Sequence, residues 1–215
     1  MKQKTKTPTR QRTALRRILA LVLVMVFASA LELYHFFPMQ AIRKLADAEE
    51  VEHPKVIHWF YDGTLPATRF AVYSLVDGDH SLMLGVTGWG LLMGWYGRTY
   101  TSIETWEEAD LHAGLHAHHQ DGKEVAYFYG KLENDAICSL TAELHPRPEE
   151  EEDAIYFFEI AEDEIFEKNG ARYFVSRLDM DDELPEWLFD VYVTGLDADG
   201  NAVQTVKAKA QSWGS

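Results

Sequence analysis

Cysteine is nearly missing from this chain. Cys138 is the only one among 215 residues, which excludes an intramolecular disulfide. Its setting, "AICSL", alternates like a strand interior and predicts a small buried thiol rather than a reactive one. Acidic residues are missing from the first 17 positions, which carry Lys2, Lys4, Lys6, Arg10, Arg12, Arg16 and Arg17. The remaining 198 residues hold 13 basic against 35 acidic side chains, a formal charge of −22. A body that acidic repels phosphate backbones, so nucleic acid is excluded as its partner.

Catalytic signatures are missing too. The chain has no Gly-x-Ser-x-Gly elbow, no His-Glu-x-x-His and no Cys–His pair in a helical setting. No cofactor is expected. Gly88-x-Gly90-x-x-x-Gly94 misses the dinucleotide spacing by one residue, and no Lys-Ser/Thr follows as in a phosphate loop. Glycines beside Trp89, Trp95 and Tyr96 are read instead as room for bulky rings lying flat across a sheet.

Charge is also missing from Ile18 to Phe37, "ILALVLVMVFASALELYHFF", apart from Glu32. Twenty residues make a helix of about 30 Å, the thickness of a bilayer's hydrocarbon core. Seven cations before the run and none for five residues after it place the N-terminus in the cytoplasm. Tyr34, His35, Phe36 and Phe37 read as the outer interfacial belt. The rival is a secretory signal cleaved near Ala30, at Ala28-Ser29-Ala30. We favour the anchor because the apolar run continues past that point. Either way the residues after Pro38 lie outside the cytoplasm. A disulfide-free exported domain fits a bacterial surface.

The organisation that follows has five parts: a basic cytoplasmic tail over 1–17, a transmembrane helix over 18–37 and a juxtamembrane helix over 38–54. A β-rich extracytoplasmic domain covers 55–145, and a β-rich C-terminal subdomain over 154–213 is either separate or continuous with it. "MQAIRKLADAEEVEH" sets Met39, Ile42, Leu45 and Ala46 at helical spacing until Pro54. Its acids argue against a surface helix on anionic lipid and favour packing on the domain. Beyond it, short alternating runs and Gly/Asp turns predict a mainly β fold, an antiparallel sandwich or half-barrel. Turns are expected at Asp77-Gly78-Asp79 and Thr87-Gly88-Trp89-Gly90. "TSIETWEEADLH" reads as a helical turn or loop. "SLMLGVTGWGLLMGWYG" is uncharged but glycine-broken, so it reads as a buried hairpin rather than a second span. Asp197, Asp199 and Asn201 resemble calcium-loop spacing, but glycine falls at the fourth position; a turn is the better reading.

"LHAGLHAHHQDG" (111–122) holds four of the nine histidines. Its period-2 alternation predicts a strand, Asp121-Gly122 a hairpin turn, and "EVAYFYG" the returning strand. Pairing Gln120 with Lys123 sets Leu115 opposite Phe128, His116 opposite Tyr127, Ala117 opposite Ala126 and His118 opposite Val125. One face is apolar. The other carries His112, His116, His118, Tyr127 and Tyr129 and meets water or a neighbour. His112 and His116 lie about 13 Å apart along a strand and cannot share an ion, whereas His116 and His118, about 6.6 Å apart, can. A third ligand is not evident, so a solvated histidine face is favoured over a metal site or a pH-responsive surface.

The basic tail with "ILALVLVMVF", the "EVAYFYGKL" strand leading to "AICSLTAEL", and "YVTGLDADGNAV" together give a recognisable layout. It resembles that of small bacterial single-pass membrane-anchored proteins with an exported β-rich domain. That resemblance implies an anchor and a β fold and carries no functional residue. The expected function is a non-enzymatic interaction or sensory module of the cell envelope. The membrane would be one partner, through the N-terminal helix, and an envelope protein the other. The alternative is an exported metal-binding domain or enzyme using the His112–His119 hairpin.

Overall fold

The computed structural model describes residues 10–31, 34–61, 71–91, 94–105, 108–120, 123–146, 156–178 and 189–210. Helix α1 spans Arg10–Ala30 and α2 spans Pro38–Ala48. The strands are β1 (Lys55–Phe60), β2 (Ala71–Asp77), β3 (Ser81–Gly90), β4 (Gly94–Glu104), β5 (Leu111–Gln120), β6 (Lys123–Leu132) and β7 (Ser139–Pro146). They continue with β8 (Tyr156–Ile160), β9 (Ile165–Lys168), β10 (Ala171–Leu178), β11 (Phe189–Leu196), β12 (Ala202–Lys207) and β13 (Lys209–Ala210). The fold is mainly β, as the alternation predicts.

The strands form three sheets, ordered β1-β2-β3-β4, β13-β5-β6-β10-β9 and β12-β11-β7-β8. All ladders are antiparallel except the short β13–β5 pairing. The sheets stack, with the second in the middle. Leu115, Phe128 and Phe174 of the middle sheet pack with Leu140, Val191 and Val193 of the third. Tyr127, Tyr129 and Tyr173, on the opposite face of that sheet, pack with Tyr73, Leu75 and Leu84 of the first. Helix α2 covers the outer face of the first sheet through Ile42 and Ala46, against Val76 and Met83. Because β2 and β3 are covered on both faces, nearly every residue in them is buried, which is why their sequence is a continuous apolar run.

Strands from both sides of Pro146–Ala154 share sheets. β10 pairs with β6, and β7 pairs with both β8 and β11. The acidic run "RPEEEEDAI" at 147–155, between the two β-rich parts expected from the sequence, lies outside the described residues.

Several expectations change. The helix expected over Ile18–Phe37 is not continuous, because α1 stops at Ala30. Among the described residues no helix is long and apolar enough to cross a membrane. The chain leaves the helix because Tyr34–Phe37 dock on the domain: His35 bridges to Gly94, and the Trp95 N–H donates to the His35 carbonyl at 2.8 Å. Gln40 locks this corner. Its amide donates to Ser29 Oγ at 2.6 Å, and its oxygen accepts from the Phe36 N–H at 2.9 Å.

Thr87–Gly90 do not turn; they lie within β3, opposite Tyr96 and Trp95. The glycines nearby serve both rings and a helix: a Cβ on Gly90 would meet the Tyr96 ring at 3.4 Å. A Cβ on Gly85 would meet Ile42 Cδ1 at 2.5 Å, and one on Gly97 would meet Leu45 Cδ1 at 3.0 Å, so α2 can lie close only over bare backbone. "TSIE" belongs to β4 rather than to a helical turn. α2 ends at Ala48, six residues before Pro54, and is the packing helix expected. Cys138 is exposed rather than buried; it lies just before β7, after the turn at Asp135-Ala136.

Candidate functional site

The β5–β6 hairpin forms in the predicted register. His116 lies opposite Tyr127, Leu115 opposite Phe128, Ala117 opposite Ala126 and His118 opposite Val125. Its Asp121-Gly122 turn lies outside the described residues, as do the side chains of His118 and His119. The face carrying the histidines is not wet. His116 is 0% and His112 8% exposed, and Tyr127 and Tyr129 are buried. The first sheet covers them.

Polar tips on this face tie the two sheets together. His116 Nδ1 lies 2.8 Å from Thr101 Oγ1 on β4. The Tyr129 hydroxyl donates to the Thr101 carbonyl at 2.8 Å. At the other end of the interface the Tyr173 hydroxyl donates to Asp77 Oδ2 at 2.9 Å. Burial, and then the Asp77 carboxylate, push the Tyr173 hydroxyl far above the ordinary tyrosine range. Burial alone raises Tyr129. A buried polar group needs such a partner, so these bonds fix the sheet-to-sheet register as well as satisfying the groups.

The structure therefore brings His116 Nδ1 to a hydroxyl. Among the described residues no group of three or more His, Cys, Asp or Glu side chains could hold a metal ion. His112 lies apart from His116, at the edge of the interface. It borders a cavity of about 580 Å³ with Glu108, Asp110, Glu133 and Gln204. The Gln204 amide oxygen there accepts the Leu111 N–H at 2.8 Å. Asp197 is engaged by its own turn, where Oδ1 accepts the N–H groups of Asp199 and Asn201 at 2.9 and 2.8 Å. Those bonds hold its carboxyl below the usual range.

A second concavity was not visible in the sequence. A cleft of about 610 Å³ opens where β1 meets β6, β9 and β10. Its wall is aromatic: His58, Phe60, Tyr127 and Phe166, with Lys168 and Arg177 adding positive charge and Asp163 and Glu164 negative charge. The His58 and Phe166 rings lie 4.9 Å apart, and Phe60 and Tyr127 5.3 Å apart. Burial, and then the nearby Lys168, hold His58 below the ordinary histidine range. A bulge between Val56 and His58 breaks the alternation of β1, so Ile57 and His58 both reach the cleft. Pattern reading assumes unbroken alternation, and "KVIHWF" offers no signal of the bulge. The described lining contains no serine, threonine or cysteine; its chemistry suits stacking and charge contacts.

Comparison with protein families, with curated proteins and with solved structures found no match for this chain.

Proposed function

We propose that this chain is a membrane-anchored extracytoplasmic protein whose β domain binds rather than catalyses, as an interaction or sensory accessory module of the cell envelope. One observation carries the reading. From Ile18 to Phe27 helix α1 is apolar around its whole circumference, and among the described residues nothing covers it: Ile18, Leu19, Leu21, Val22, Leu23, Val24, Met25, Val26 and Phe27 are all exposed. A helix apolar on every side belongs in a protein core or in lipid. The seven cations before it favour lipid, with the N-terminus cytoplasmic. The binding role is supported by the commitment of His116 to Thr101 and by the aromatic wall of the open cleft.

The test is fractionation and protease shaving of cells producing the full chain. Expected is a chain that resists alkaline extraction, floats with lipid, and loses the 38–210 region to protease added outside. Replacing Val22 and Val24 by Asp should release it. Release of the unmodified chain at alkaline pH, or cleavage confined to the N-terminal tail, would overturn the anchor or its orientation.

A further inference from the structure

The apolar surface of α1 continues onto the domain. After Leu31, itself exposed, the chain docks on the tip of the β3–β4 hairpin. Gly94 has φ +69°, and a Cβ there would collide with the His35 carbonyl and the Tyr34 ring, so the contact is close and tolerates only glycine. Trp89 pairs with Trp95 and Gly90 with Gly94, so Leu91 is the first residue of the connection beyond the last pair. Leu91 is 78% exposed, Phe37 66% and Trp89 42%. No Asp, Glu, Lys or Arg occurs from Ser81 to Gly97. Single exposed apolar side chains are ordinary on any protein. Here Trp89 and Leu91 belong to the hairpin end on which the segment from Tyr34 to Phe37 docks, at a corner locked by Gln40.

The length of α1 gives these exposed side chains a task. From Ile18 to Ala30 the uncharged helix is about 20 Å long, against about 30 Å of hydrocarbon. A short apolar segment thins the bilayer or draws its flanks down into the interface. Tryptophan and phenylalanine rings suit that depth. Glu32 is the one acid between α1 and the docked segment; the next, Asp47, Glu49, Glu50 and Glu52, lie at and beyond the far end of α2, away from the tip.

We propose that the β3–β4 tip, through Trp89 and Leu91 with Phe37 beside them, inserts into the outer headgroup–acyl boundary of the bilayer that holds α1. The domain is then seated on the membrane in one orientation instead of swinging from a tether. This rests on the anchored reading above, and the occupant is the lipid surface rather than a protein.

The test places an environment-sensitive fluorophore on Leu91→Cys, in the full chain carrying Cys138→Ser, reconstituted into phosphatidylcholine vesicles. A matched probe on Asp79→Cys reports the opposite end of the first sheet. Flotation first shows which chains are lipid-bound, and shallow spin-labelled lipid then serves as quencher. Expected in the floated fraction is a blue-shifted probe at position 91, quenched at least about twofold more than the probe at position 79. Equal quenching at the two positions in floated vesicles would overturn tip insertion and leave the anchor standing. A chain that fails to float would overturn both.

Discussion

Thr101→Val measures whether the histidine face is an interior. Thr101 is 3% exposed and His116 0% exposed, and their side chains meet at 2.8 Å. Valine keeps the branched shape and removes only the hydroxyl. It also preserves the bond from Tyr129, which goes to the backbone carbonyl. A neutral hydrogen bond contributes about 0.5–1.5 kcal/mol net, and leaving a buried partner unmet raises the loss to about 1–3 kcal/mol. At about 2–4 °C per kcal/mol for a chain of this size, a loss of about 2 kcal/mol lowers Tm by about 4–8 °C. The assay is urea unfolding of the full chain in detergent micelles, followed by tryptophan fluorescence, with His116→Ala and the double variant closing a cycle. A coupling near 1 kcal/mol is expected for a direct pair. If Thr101→Val stays within about 0.5 kcal/mol of wild type, the value for an exposed site, and the coupling is nil, the buried tie between the sheets is refuted.

Gly85→Val should destabilise the domain by about 1–3 kcal/mol in the same assay, because its Cβ intrudes on Ile42 beneath α2; an unchanged urea midpoint would show that α2 does not pack there. Tyr173→Phe should cost about 1.5–3 kcal/mol at neutral pH, since the hydroxyl bonds a carboxylate. The folded chain holds this proton more tightly than the unfolded chain, so the stabilisation is present below about pH 10 and declines above it. Comparing urea midpoints at pH 7 and pH 11 should show the gap between wild type and Tyr173→Phe narrowing. For His58 the sign reverses: its folded pKa is lowered, so its neutral form is favoured by folding and stability falls as pH drops below about 6.5. His58→Gln should lose less stability than wild type between pH 7.5 and 5.5, and parallel curves would contradict this.

Local chemistry was readable where it acts over a few residues. The β5–β6 register follows from the alternation of 111–118 and from Asp121-Gly122, because a side-chain period of two allows no one-residue slip without exchanging the faces. The turn at Asp197–Asn201 follows from side chains that bond their own backbone. α2 follows from its apolar spacing. Cys138 and Thr87–Gly90 misled for a common reason: a strand-like pattern does not say where the strand begins or ends. The junction after Ala30 misled because the contact that stops α1, His35 on Gly94, spans nearly 60 residues.

The sequence by itself determined that "LHAGLHAHHQDGKEVAYFYG" pairs as it does and which side chains share each face. Only the tertiary structure decided that the histidine face is an interior. Alternation separates two faces without saying what lies beyond either, and here a whole sheet contributed by residues 55–104 closes over one of them. The covering sheet brought Thr101 to His116 and Asp77 to Tyr173, partners that no local pattern names. Solvation belongs to layers and not to strands, so the face of His112, His116 and His118 reads as a wet surface in one dimension and, at His112 and His116, as an interior in three.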